Sequence, residues 1–305
     1  MEENKTIPTE PPVWYKRWLS GIPYEVAFWN SYYGNRRRRK DLFRWSMYGK
    51  ECVLDHFDFA AYAGALPHPI KILDVGCALS YMFGNKSGGK ELDVDYVDPL
   101  APFYNRILTR YRIERPAITF GMIEELSAAY APESADFIHV RNALDHCANP
   151  VLGITECLTC LRTGGILYLN HFRDEALKEA YRGFHQFNIT ERDGDFIIWN
   201  NEKEVDVTRL LQNCAQVKTT VTEEGRIVAV IKKLSPLPQE ITLTTKAEHR
   251  TAEMLMNTAV YFHSTRNSFR YQWAKLRANI GHRLMRLLPY RLLNFLKRSL
   301  SKKGK

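Results

Sequence analysis

Several histidines and carboxylates stand where an α/β chain would gather a ligand. Asp145 and His146 close a stretch that begins with the apolar run Ser134-Ala-Asp-Phe-Ile-His-Val140, and His171, Arg173 and Asp174 follow the apolar run Gly164-Gly-Ile-Leu-Tyr-Leu169. If both runs are strands, these side chains fall at strand carboxyl ends, the edge where open α/β sheets bind ligands. A neutral imidazole there can take a hydroxyl proton, with Asp145 orienting it or binding substrate. Alternatively His146 only walls a ligand pocket. His171 and Arg173 either line an acceptor site or supply ordinary loop polarity. His185 and Gln186 lie in Gly183-Phe-His-Gln-Phe-Asn188, whose aromatics and interspersed donors suit a sugar ring and equally a lid helix. No His, Asp or Glu grouping has metal-ligand spacing, so no metal ligands are assigned.

These residues must be positioned by the segment Lys71-Ile-Leu-Asp-Val-Gly-Cys-Ala-Leu-Ser80. Its apolar run between Pro69 and Gly76 predicts a strand buried on both faces, and Gly76 permits a sharp turn at the strand's carboxyl end. Glu91-Leu-Asp-Val-Asp-Tyr-Val-Asp98 predicts a second strand, ending in an acid about 20 residues after that glycine. A nucleotide-binding βαβ unit puts its ribose-binding carboxylate at this distance. The turn lacks the second glycine that admits a pyrophosphate, so a nucleoside cofactor without phosphates is expected.

Further strands are predicted at Ile118–Gly121, Ser134–Val140 and Gly164–Leu169, with helices after Asp98-Pro99 and from Asn149-Pro150 to Leu161. Strands alternating with helices predict a doubly wound parallel sheet. Lys218–Thr222 and Arg226–Ile231, joined by Glu223-Glu-Gly225, predict a terminal antiparallel hairpin. Residues 1–65 read as an aromatic-rich helical cap, clearest at Glu25–Tyr33, 66–234 as the core, and 235–305 as a basic helical extension. Arg36-Arg-Arg-Arg-Lys40 reads as a solvated loop or an anion contact. Cys157 and Cys160 fall inside the helix that ends at Leu161, where their spacing predicts one buried face rather than a redox or zinc pair.

The chain carries a net charge of +9, yet residues 246–305 alone hold 14 Lys and Arg against Glu248 and Glu253, so the remainder is mildly acidic. Leu284, Leu288, Leu292 and Phe295 recur at helical spacing among these charges, with Pro289 dividing the pattern. Such a helix suits an anionic membrane surface, the protein's own core, or nucleic acid. Few aromatics interleave its charges, which disfavours a strand-stacking groove. The N-terminal stretch has no apolar signal region and no run is long enough to span a membrane, so a cytoplasmic protein, peripheral at most, is expected.

Asp74-x-Gly76 with Asp98 closing the next strand resembles the cofactor motif of class I S-adenosylmethionine-dependent methyltransferases. Gly121-Met-Ile-Glu-Glu-Leu126, Ala135-Asp-Phe137, Arg141-Asn-Ala-Leu-Asp-His146 and Leu161-Arg-Thr-Gly-Gly165 are similar to later motifs of the small-molecule branch. The resemblance implies the Rossmann-like methyltransferase sheet and S-adenosyl-L-methionine held by Asp74, Gly76, Cys77, Ala78, Asp98, Pro99, Ile123, Glu124 and Asn142. Ala78 replaces a usual glycine. Met122 replaces an acid that meets the adenine amino group, leaving backbone near Ile123 and the Glu124 carboxylate for that contact. Arg141-Asn-Ala-Leu lacks the Asp/Asn-Pro-Pro-aromatic sequence of enzymes that methylate base amino groups.

Val97–Ala101 and Tyr181–Asn188 resemble a bacterial branch associated with surface-polysaccharide clusters. The resulting expectation is O-methylation of a glycan or lipid-linked glycan by His146, Asp145 and His171, with Arg173, His185 and Gln186 binding the acceptor. A small-metabolite or RNA methyltransferase and a silent binding module are the alternatives.

Overall fold

Ile72–Val75 (β1) is buried at all four positions, as a central parallel strand requires. In the computed structural model, which describes residues 13–181 and 183–238 together with Phe269, Gln272, Trp273, Leu276, Arg277 and Ile280, Val94–Val97 (β2) runs parallel on one side of β1. Ala135–Arg141 (β3) runs parallel on the other. Leu161–Phe172 (β4) continues parallel beside β3. Ala215–Val221 (β5) and Arg226–Lys233 (β6) form the expected antiparallel hairpin, turned at Gly225 (φ +76°), with β6 laid antiparallel on β4. The order is β5-β6-β4-β3-β1-β2, the mostly parallel sheet with a terminal antiparallel pair that the sequence predicts.

Side-chain alternation along these strands builds two cores. Leu73, Val75, Ile138, Val140, Leu167 and Leu169 pack on one face with Ile154, Cys157, Leu158 and Cys160 of the helix Pro150–Cys160. Ile72, Phe137, Ile166, Tyr168 and Val228 pack on the other with Phe59 and Phe83. Cys157 and Cys160 are free and buried, and desolvation pushes both thiols up, so they are core residues as expected. A third cluster joins the long helix Val13–Gly34 to Ala101–Tyr111 through Val26, Trp29 and Tyr33 against Phe103, Tyr104 and Ile107. Tyr33 Oη donates to the Leu79 carbonyl at 2.8 Å, tying that N-terminal helix to the turn after β1.

Three sequence expectations need correction, and a fourth cannot be placed in the structure. Ile118–Gly121 is no full strand; one parallel bridge, Val97↔Thr119, is all that forms there. Arg36–Lys40 is the start of the helix Arg36–Trp45 rather than a loop, because Asn35 caps the amides of Arg37 and Arg38 and arginine is a good helix former. Its Arg38 is buried, donates to Ser31 Oγ and lies over the Tyr32 ring. Residues 183–187 form no lid helix, and the chain beyond them builds an unforeseen three-stranded antiparallel sheet, Asn188–Arg192, Asp195–Trp199 and Glu204–Asp206. Lastly, Leu284, Leu288, Leu292 and Phe295 lie outside the described residues.

Candidate cofactor and acceptor site

The sheet order reverses between β1 and β3, so their carboxyl ends mark the switch point at which open sheets of this kind bind ligands. Gly76 turns there at φ +68°, and a Cβ on it would stand 2.4 Å from the Cβ of Ala143, so only glycine fits. The amides of Gly76 and Cys77 donate to the Val97 carbonyl at 2.8 and 3.4 Å, drawing the turn against the end of β2. There Asp98 completes the join: Oδ2 accepts from Ala78 N at 2.9 Å and Oδ1 from Leu100 N at 2.8 Å. Burial raises the Asp98 carboxyl to about 7 despite both amides, with Glu25 and Asp74 adding to the rise. Ala78 adopts φ +47°, a left-handed conformation that costs an L-residue about 1–2 kcal/mol.

Asp74 is anchored from β3. Its Oδ1 meets His139 Nδ1 at 2.7 Å, and His139 lies between the rings of Phe83 and Tyr168. Asp74 Oδ2 is buried with no hydrogen-bond partner among the described residues. An orphaned acceptor beside a glycine turn, together with a buried carboxylate on the next strand, fits a nucleoside with a free ammonium group. One carboxylate can receive the ribose hydroxyls and the other the ammonium. Cys77 is buried beside both acids, which push its thiol up after desolvation has done most of the work. Pro99 follows Asp98 in the turn leading to Ala101–Tyr111. Ile123 is buried against Gly153.

Two carried-over residues do other work. Glu124 Oε1 accepts from the amides of Ala148 and Asn149 at 2.8 and 3.3 Å, so its carboxylate braces the start of the helix Pro150–Cys160 instead of standing available for an adenine. Asn142, at φ +50°, accepts through Oδ1 from Phe172 N and Arg226 Nη2, which places that oxygen between β4 and β6. Arg226 also donates to Asn170 Oδ1 and O. Composition gives no hint of this Arg226–Asn142–Asn170 network, since its members come from two strands, β6 and β4, and from the turn that follows a third, β3.

The acceptor side is built around Asp145, which is buried. Its Oδ2 meets His185 Nδ1 at 2.6 Å, while His146 Nε2 stands 3.5 Å away, so the imidazole it orients is His185 and not the adjacent His146. Burial would raise the Asp145 carboxyl, but His146 and His185 together hold it below its ordinary value. Gln186 N donates to the Asp145 carbonyl at 2.9 Å, fixing the loop that carries His185, and Gln186 Oε1 is buried without a partner among the described residues. His171 is fully buried, both ring nitrogens lack partners among the described residues, and burial drives it down to about 3 against the pull of Asp145. A base so weak is an unsuitable proton acceptor, contrary to the sequence expectation. Arg173 pairs with Glu191 of the added sheet at 3.4 Å and is not drawn into this cluster.

The N-terminal helix roofs the site. The Phe184 ring packs against Gly21 and lies 5.6 Å from the His146 ring, while Phe187 is buried in the main core, so neither aromatic is an open sugar platform. Glu25 acts electrostatically on Asp98 and on His185 alike, a role that no local pattern around it foretells.

A sheet of this order with a glycine turn and paired acids at its switch point defines a Rossmann-like class I methyltransferase fold. Residues 73–169 match the family described as methyltransferase domain, which supports an S-adenosyl-L-methionine-dependent methyltransferase. No curated protein sequence matches it. Among solved structures it is similar to a SAM-dependent methyltransferase from Aquifex aeolicus, at 12% identity over 55% of this chain and 84% of that one (TM-score 0.37). It is also similar to one from Methanosarcina mazei, at 20% identity over 60% of this chain and 100% of that one (TM-score 0.34).

Proposed function

We propose that this methyltransferase O-methylates a hydroxyl of a neutral, polyhydroxylated acceptor, a glycan or lipid-linked glycan, with the Asp145–His185 pair as the activating group. The observation that carries the proposal is the 2.6 Å contact between Asp145 Oδ2 and His185 Nδ1. Asp74, Asp98 and the Gly76–Ala78 turn would hold S-adenosylmethionine, which would supply a methyl group on a sulfonium sulfur for attack by an acceptor oxygen, the carbon–sulfur electron pair passing to sulfur. Asp145 fixes the His185 ring through Nδ1 and leaves Nε2 to receive the hydroxyl proton. Gln186 Oε1, an acceptor without a partner among the described residues, suits a second hydroxyl of the same substrate.

The surroundings favour a neutral acceptor over a phosphate-rich one. Glu25 and Glu179 act on His185, and Glu175 feels both Asp145 and His185, so an RNA backbone would meet repulsion here. The lipid-linked form is supported by Phe269, Trp273, Leu276 and Ile280, exposed helical residues spaced as one apolar stripe within the basic segment. No helix among the described residues is long and apolar enough to cross a membrane, so contact would be at a surface.

The test is transfer of labelled methyl to fractionated envelope glycans by wild type and His185→Gln. The expected result is label in a glycan hydroxyl and a loss of at least about 100-fold in the variant, the usual contribution of a positioned base. Equal rates in the two proteins would refute the assignment. Salt-sensitive sedimentation with anionic vesicles, absent with neutral ones, tests the membrane contact.

A further inference from the structure

Sequence spacing offers no metal ligands because His185 lies 40 residues from Asp145. Folding removes that separation. Asp145, His146 and His185 each present one donor atom, and all three atoms lie within 4.8 Å of one another. Two imidazoles and a carboxylate are the donor set of zinc-class ions, with a coordination position left open. Metal–ligand bonds of about 2.0–2.2 Å put tetrahedral donors about 3.4 Å apart. The Asp145–His185 and Asp145–His146 separations, 2.6 and 3.5 Å, bracket that value.

Independent support comes from His171, an imidazole 1% exposed beside the cluster with neither ring nitrogen partnered among the described residues. Unpartnered polar groups at this depth are rare in proteins and ask for a missing neighbour. Charge agrees as well. The groups that act on His185 are carboxylates, Asp145, Glu179 and Glu25, with Glu175 on the same side, and a divalent cation would be drawn to them.

We propose that Asp145, His146 and His185 form a binding site for a divalent transition-metal ion of the zinc class, and that its occupation switches methyl transfer off by displacing the proton shared between Asp145 and His185. The inhibitory role rests on the acceptor-activating reading of that pair; the site itself does not. A metal on His185 Nδ1 and Asp145 Oδ2 removes the hydrogen bond that orients the ring, so transfer and metal occupancy exclude each other.

The experiment titrates the full chain with Co2+, reads the visible d–d absorption of the bound ion, and then displaces it with Zn2+. One equivalent is expected. His185→Ala, His146→Ala and Asp145→Asn should each weaken it by at least about 100-fold, since even outer-shell partners of metal ligands are worth 10–100-fold. Binding of S-adenosylhomocysteine checks that each variant is folded, and the shape-preserving Asp145→Asn keeps the test decisive if an alanine variant is not. Zn2+ should abolish transfer in proportion to occupancy, with recovery on chelation. Absence of Co2+ binding, or binding indifferent to all three substitutions, overturns the site. Stoichiometric binding with undiminished transfer overturns the switch. If His185→Gln transfers at the wild-type rate while Co2+ binds as expected, the base assignment fails and the metal site stands.

Discussion

Cofactor binding should release a proton from Asp98. This carboxyl is 5% exposed and stands near 7 in the free protein, because burial outweighs the two amides that donate to it. Ribose hydroxyls donate hydrogen bonds, and each carboxylate oxygen retains a lone pair for one, so the bound state requires the ionised form. With a value of about 7, roughly nine-tenths of the free protein is protonated here at pH 6, half at pH 7 and one-tenth at pH 8. Affinity for the nucleoside should therefore rise about tenfold between pH 6 and pH 8, or about 1.4 kcal/mol, and level off above.

The sign for stability is opposite. A carboxyl whose folded value is raised favours the folded state below the unfolded value of about 4, and this contribution is lost as pH climbs from about 4 to about 7. Calorimetric titration with S-adenosylhomocysteine, which carries the same ribose, in buffers of different ionisation enthalpy counts the protons. Asp98→Asn subtracts the contribution of nearby histidines, and should also lose about 1.5–3 kcal/mol for each charged hydrogen bond removed. Tight binding at pH 6 with no difference in proton release between wild type and Asp98→Asn would refute the reasoning.

Ala78→Gly should stabilise the protein by about 0.5–1 kcal/mol in chemical unfolding, because relief of the left-handed strain at φ +47° exceeds the extra chain entropy of glycine. His139→Ala leaves the Asp74 carboxylate buried with neither oxygen paired by a side chain, and should cost about 3–5 kcal/mol, read as a lower urea midpoint. Arg226→Met keeps the buried volume but orphans the side-chain oxygen of Asn170 and one bond of Asn142, for a loss of about 2–4 kcal/mol and a lower melting temperature.

The strand, glycine turn and closing acid of the candidate cofactor site were legible in the sequence because they are local. Ile72–Val75, Gly76 and Asp98 lie on neighbouring strands joined by one crossover, so strand periodicity and the distance from the turn to the acid place them without further information. The same locality made Asp98 recognisable and set the hairpin Ala215–Val221 and Arg226–Lys233 apart from another βα unit.

Contacts between distant segments were another matter. His139 faces Asp74 because β1 and β3 pair in one register, and a shift of one residue would have put either side chain on the opposite face. The charge on Glu124 suggested a ligand, yet the backbone amides of Ala148 and Asn149 claim it, and amide directions are invisible in a residue string. Adjacency in sequence made His146 the obvious partner of Asp145. The fold instead brings in His185 on a loop whose position depends on the added three-stranded sheet and on Gly21 of the N-terminal helix. Periodicity and short-range spacing thus determined the sheet and the pairing of glycine turn with closing acid; which imidazole Asp145 holds was decided only by packing between parts of the chain that have no local relation to one another.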